Sequence, residues 1–137
     1  MKNKGTLLWL DDIRDPLEDS WLVFSPITPT EVIWVKSYDQ FIKWITENGL
    51  PEAICFDHDL GMEVALEARS KGMSKRKSRL LKQEEKTGYD CAKWLVDYCI
   101  DDYDHPLPLY NIQSANPVGK ANIDGLLKHY IRHINTK

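Results

Sequence analysis

The sequence predicts an α/β protein built on a mostly parallel sheet with helices on both faces. Two observations carry that expectation. Short apolar runs alternate with stretches of helical periodicity, the pattern of strands joined by crossover helices. Each run is also only four or five residues long and closes on a polar group, as strands buried on both faces do. A length of 137 residues with 42% hydrophobic residues predicts a single domain over 1–137 around one core.

The first strand is Thr6-Leu7-Leu8-Trp9-Leu10, ending in Asp11-Asp12. The stretch from Ile13 to Pro29 is a short helix or a loop, because Pro16, Pro26 and Pro29 limit it. Val32-Ile33-Trp34-Val35 is the second strand. Tyr38 to Asn48 places Phe41, Ile42, Trp44 and Ile45 on one side of a helix that Gly49 and Pro51 stop. Ala53-Ile54-Cys55-Phe56 is the third strand, ending in Asp57. Ala92, Leu95, Val96 and Cys99 recur at helical spacing, and Thr87-Gly88-Tyr89-Asp90 caps that helix with a turn glycine. Leu109-Tyr110-Asn111-Ile112 is a fourth strand, weakened by Asn111. Ile123, Leu126, Leu127, Tyr130, Ile131 and Ile134 define the last helix.

The segment 62–86 breaks this pattern. Eight basic residues (Arg69, Lys71, Lys75, Arg76, Lys77, Arg79, Lys82 and Lys86) against four acids give it a net +4, leaving −7 for the remainder of a chain whose total is −3. It reads as a charged insertion, partly helical or mobile: a solvated excursion, or a basic lid over an anionic ligand. The overall acidity argues against a general nucleic-acid coat. No apolar run approaches the length of a membrane span, and the N-terminus leads into a strand with no signal-peptide core, so a cytoplasmic protein is expected. Cys55, Cys91 and Cys99 are odd in number and sit in apolar periodic segments, as buried reduced thiols do. The five tryptophans fall mostly in periodic patterns and are expected to fill the core.

Right-handed crossovers put the carboxyl ends of all parallel strands on one edge, where open sheets bind ligands. Asp11, Asp12, Asp57 and Ser114 each sit at such an end. Carboxylates crowded there repel, and a hard divalent cation relieves them while keeping positions open for water and a phosphate oxygen. His58, between Asp57 and Asp59, is a general acid or base beside that metal, or a packed or surface histidine. Asn116 suits an N-cap and Pro117 the first position of the last helix, whose free amides then favour an anion with Ser114, Asn116 and Lys120 beside it. Arg14 reaches a phosphate or pairs with Asp15. His129 and His133, four apart, are expected to be surface residues, because no third ligand lies near.

The acid pair after strand one, the Asp after strand three and the Ser-Ala after strand four resemble the receiver domain of response regulators. That resemblance implies magnesium at Asp11, Asp12 and Asp57, phosphorylation of Asp57, and a phosphoryl contact from Ser114. Receivers continue into a fifth strand bearing a Lys, whereas here the Asn-Pro loop runs into the final helix, which argues against a conventional phosphorelay role.

A closer likeness covers most of the chain. Leu10-Asp11-Asp12-Ile13-Arg14-Asp15-Pro16, Phe56-Asp57-His58-Asp59-Leu60-Gly61, Thr87-Gly88-Tyr89-Asp90 and Ser114-Ala115-Asn116-Pro117-Val118-Gly119 look like the cyclic-phosphate-processing receiver-like family. Its members, from bacteria and their viruses, are proposed to act on cyclic phosphate ends of RNA or nucleotides. The resemblance implies a receiver-like (flavodoxin-like) three-layer sandwich with strand order 2-1-3-4 and no fifth strand. It also implies roles for Arg14, His58, Asn116 and Asn122. A His often precedes the Ser of the last motif in that family, and Gln113 stands there in this chain.

The expected function is therefore a divalent-metal-dependent phosphoesterase that hydrolyses or opens a cyclic phosphate. Mg2+ (or Mn2+) would sit on Asp11, Asp12 and Asp57, with His58, Asp57 and Asp59 as catalytic groups and Arg14, Ser114, Asn116 and Lys120 on the phosphate. The expected substrate is a cyclic nucleotide or an RNA 2′,3′-cyclic phosphate end, with the basic 69–82 segment as a contact for nucleic acid and no membrane partner. The alternatives are a phosphoacceptor receiver using Asp57 and a non-catalytic module that binds a nucleotide or a partner.

Overall fold

The computed structural model describes residues 2–84 and 86–136. Four parallel strands, β1 (Thr6–Leu10), β2 (Glu31–Val35), β3 (Ala53–Phe56) and β4 (Leu109–Ile112), lie in the order β2-β1-β3-β4. This is the expected receiver-like order. Leu10 pairs with Val35 on one side and Phe56 on the other, and Phe56 with Ile112, so all four strands finish level. The ladder continues one residue further: Asp11 N donates to Val35 O, Asp57 N to Leu10 O and Gln113 N to Phe56 O, at 2.9–3.1 Å. The first polar residue after three of the strands is thereby held in a row.

Strand alternation divides the core. Leu8, Leu10, Ile54, Phe56 and Ile112 face three helices: α1 (Tyr38–Asn48), α4 (Gly88–Asp101) and α5 (Pro117–Asn135). Phe41 and Ile45 come from α1, Cys91, Leu95 and Cys99 from α4, and Ile123, Leu127 and Tyr130 from α5, all buried. The helix starts follow the expected signals. Ser37 caps α1, the Thr87–Asp90 capping box opens α4, and Asn116 with Pro117 opens α5. Gly49, at φ +84°, ends α1.

The opposite face carries Leu7, Trp9, Ala53 and Cys55 under Trp21, Leu22, Phe24 and Ile27. Segment 13–30, bounded by its prolines, forms a 3₁₀ turn at Trp21–Phe24 and no longer helix, so the layer on this face is thin and largely irregular. Asn111 serves it: its Nδ2 donates to Phe24 O at 2.7 Å, tying the turn to β4. A polar residue that weakened the strand signal is thus a strut. The tryptophans pack rather than stack on open surface, with Trp9 fully buried and Trp94 against Phe41 and Tyr98. All three cysteines are free and buried, and burial pushes the Cys55 and Cys99 thiols up to about 12.

The charged insertion folds as a hairpin of two helices, α2 (Met62–Ser70) and α3 (Lys75–Glu84), turning through Gly72 at φ +91°. Among the described residues no helix is long and apolar enough to cross a membrane.

Leu10 touches the helical core at the level of the strand ends, so Leu10→Ala is expected to cost about 2–5 kcal/mol in urea unfolding. Val23→Ala, at a residue 79% exposed, is expected to change stability by less than about 0.5 kcal/mol in the same assay.

Candidate functional site

Three carboxylates converge where the strands end. Asp11, Asp12 and Asp57 are 0, 2 and 5% exposed, and one oxygen from each lies within 4.8 Å of the others. Among the described residues this is the one group of three acids, histidines or cysteines with that proximity. Oδ1 of Asp11 accepts from the backbone N–H groups of Ile13 and Arg14, at 3.1 and 3.0 Å, folding the chain into an Asx turn. That turn brings the Arg14 guanidinium back over the acids. Its Nη1 lies 3.0 Å from Asp11 Oδ2 and 3.7 Å from Asp57 Oδ1, and its Cζ stands 5.2 Å from the Trp21 ring centre. Two indoles brace the loop: Trp34 Nε1 donates to Asp11 O and Trp9 Nε1 to Arg14 O.

Three carboxylates are crowded together in a buried place, with the Arg14 guanidinium against two of them. Burial is the largest cause raising the Asp57 carboxyl, and Asp11 adds to it; Arg14 pulls the other way, and Asp12 and Asp59 raise it further. The outcome is a rise from 3.8 to about 7. An all-oxygen donor set of three clustered, buried carboxylates fits a hard divalent cation.

His58 and Asp59 form a second group. His58 Nδ1 and Asp59 Oδ1 are 2.9 Å apart. A carboxylate only accepts, so Nδ1 carries the hydrogen, which in the neutral ring leaves the lone pair on Nε2. Asn116 joins the pair through Nδ2, 3.4 Å from Asp59 Oδ1, while its own Oδ1 accepts from Gly119 N at 3.0 Å. The cap of α5 is therefore wired to the β3 loop. Asp59, expected either on the metal or on His58, contacts His58 and Asn116 and lies outside the three-acid group.

The remaining predicted residues separate. Ser114 Oγ accepts from Asn116 N at 3.1 Å and shapes the loop. Lys120 is exposed and, among the described residues, makes no side-chain hydrogen bond or ion pair; Asn122 is also exposed. Arg14 pairs with Asp11 and Asp57 rather than Asp15, whose Oδ1 accepts from Leu17 N. His133 approaches Asp104 at 3.8 Å and His129 is exposed, the surface positions expected of them.

Three features had only faint signals in the sequence. Gln113 is buried and reaches past β3, its Nε2 donating to Leu10 O at 3.0 Å. That bond sets the amide's orientation and leaves Oε1 buried without a hydrogen-bond partner among the described residues, next to the strand end that leads into Asp11. Gly88 is helical, not a turn glycine as expected. A Cβ there would stand 1.9 Å from Asp57 O, so α4 starts flush against the site loop, and Gly88 N donates to His58 O. At Gly119 a Cβ would stand 2.3 Å from His58 Cγ, so the imidazole lies on the first turn of α5.

A family model described as cyclic-phosphate processing receiver domain matches residues 6–129. No curated protein and no solved structure matches the chain.

Two expectations follow from this geometry. A carboxyl raised on folding favours the protonated protein, so the Asp57 contribution destabilises increasingly as pH climbs from about 4 to about 7, then levels off. Without divalent cations, Asp57→Asn is expected to match wild type in urea unfolding near pH 4 and to exceed it at pH 8, by at most ~4 kcal/mol. A stability difference independent of pH would refute the assignment. Alanine in place of an exposed helical glycine normally stabilises by up to about 1 kcal/mol. Gly125, with open space around it, is expected to obey in thermal unfolding, whereas Gly119→Ala lowers the midpoint by displacing His58.

Proposed function

This chain belongs to the cyclic-phosphate processing receiver family, and from that premise we propose that it hydrolyses a 2′,3′-cyclic phosphate on a nucleotide or an RNA end. The observation that carries the reading is the meeting of two groups at one edge of the sheet: three buried carboxylates, and a histidine whose Nδ1 is tied to a carboxylate.

Asp11, Asp12 and Asp57 would hold Mg2+ (or Mn2+). When bound, the cation would polarise a phosphoryl oxygen and lower the cost of charge building on it. Arg14 already leans on two of these acids, which places its guanidinium beside a phosphoryl oxygen bound there. The amides at the start of α5 supply fixed donors for an anion, and Asn116 holds that turn against the β3 loop. His58 Nε2 takes a proton from water as the water oxygen bonds to phosphorus. One ester P–O bond of the ring breaks, and the same proton passes to the departing sugar oxygen. The product is a phosphomonoester with a free hydroxyl. Asp59 holds the imidazole in the required tautomer throughout. With Gln113 in place of the histidine often found in the family, proton transfer falls to His58.

The position of Asp57 after β3 favours one further reading, in which its carboxylate accepts a phosphoryl group as in receivers. Labelling by acetyl phosphate at Asp57, without turnover of a cyclic substrate, would select it.

Incubation with 2′,3′-cyclic nucleotides and magnesium is expected to give monophosphates. His58→Gln should lower kcat by about 10²–10⁴-fold, and Asp57→Asn should abolish turnover. Magnesium at about 100 times its Kd is expected to stabilise the wild type by about 2.7 kcal/mol and the Asp57→Asn variant by far less. Turnover by wild type that is unchanged in either variant would sink the mechanism.

A further inference from the structure

The α2–α3 hairpin stands on the site. It leaves the β3 loop at Gly61, directly after Asp57 to Leu60, and returns at Thr87 and Gly88. Gly88 N donates to His58 O at 2.8 Å, and the Gly88 backbone abuts Asp57 O. Both feet of the excursion are therefore fastened to the strand end that bears the carboxylates and the histidine.

Its outer surface is cationic. Arg69, Lys71, Lys75, Arg76, Lys77 and Arg79 are all exposed. Lys71 pairs with Glu67 at 3.1 Å, but Lys75, Arg76, Lys77 and Arg79 form no ion pair with any described residue. Like charges three and four apart weaken a helix, so α3 carries this density at a cost in its own stability. The two helices bury Ala65, Ala68 and Ser78, which leaves the basic side chains turned outward. No aromatic residue occurs between 62 and 86, so the surface offers nothing for bases to stack on. Such a surface binds phosphates, through charge and without regard to sequence.

We propose that the hairpin is a handle for the sugar-phosphate strand leading to the cyclic end, so that the substrate is an oligonucleotide terminus rather than a free cyclic nucleotide. This rests on the phosphoesterase reading above and adds the substrate class. A mononucleotide fills the strand-end site alone, whereas an oligonucleotide also crosses the hairpin. The hairpin then acts on capture and leaves the chemistry of the ring to the strand-end residues.

The test compares wild type with a K75Q/R76Q/K77Q/R79Q variant on a 12-nucleotide RNA ending in a 2′,3′-cyclic phosphate and on 2′,3′-cyclic CMP. Wild type is expected to show kcat/KM at least about 10-fold higher on the RNA, falling to the mononucleotide value in the variant while cyclic CMP turnover holds. In parallel, fluorescence anisotropy of the labelled RNA is titrated against salt. The slope of log K against log salt should be about −2 to −3 for wild type and flatten in the variant. The binding arm decides even if neither substrate turns over, which would strike the phosphoesterase reading alone. Equal RNA binding by both proteins would overturn the handle, as would equally effective displacement of the RNA by polyglutamate.

Discussion

The site depends on the level finish of the parallel ladder. Because Leu10, Val35, Phe56 and Ile112 are flush, the residues that follow three of these strands share one line, and their backbone amides extend the sheet's hydrogen bonding by a step. Asp11 and Asp57 cannot retreat to solvent without giving up those bonds. A one-residue slip of β3 against β1 would turn Asp57 away and bury the wrong side chains, so core packing and site geometry enforce the same register.

Holding carboxylates together in a buried place is unfavourable, and the surroundings bear the marks of that cost. The Asp11 Asx turn, the Arg14 guanidinium and the two indole donors stabilise the loop. The residual strain is concentrated on Asp57, whose carboxyl is raised toward neutrality. Protonation or a nearby positive charge relieves a carboxyl in this condition. His58 lies beside this group, its Nδ1 against Asp59 and its ring on Gly119.

The two glycines and the basic hairpin show how the strand-end loops are coordinated. Gly88 lets α4 start against Asp57, and Gly119 lets α5 start against His58. Each contact joins a helix start to a residue of the β3 loop, so that loop is gripped from two sides while the hairpin projects from it. Short-range packing thereby positions the loop, and the charged surface lies on the excursion that projects from it.

The sequence alone determined the strands, the helices with capped starts, and the meeting of Asp11, Asp12 and Asp57, because these follow from local periodicity and from the handedness of parallel crossovers, while the strand order came from the family resemblance. The family was legible through the resemblance of the Phe-Asp-His-Asp-Leu-Gly and Ser-Ala-Asn-Pro-Val-Gly runs, which sit on loops at the carboxyl ends of β3 and β4. Tertiary structure decided what depends on reach. Arg14 joined Asp11 and Asp57, and Asp59 served His58 outside the acid group. Lys120 stayed in solvent, and Gln113 spanned to β1 across β3. The cover of the second face by a 3₁₀ turn belongs here too. Such outcomes are set by side-chain length and by the distance between strands that are remote in the chain, and neither leaves a period in the sequence.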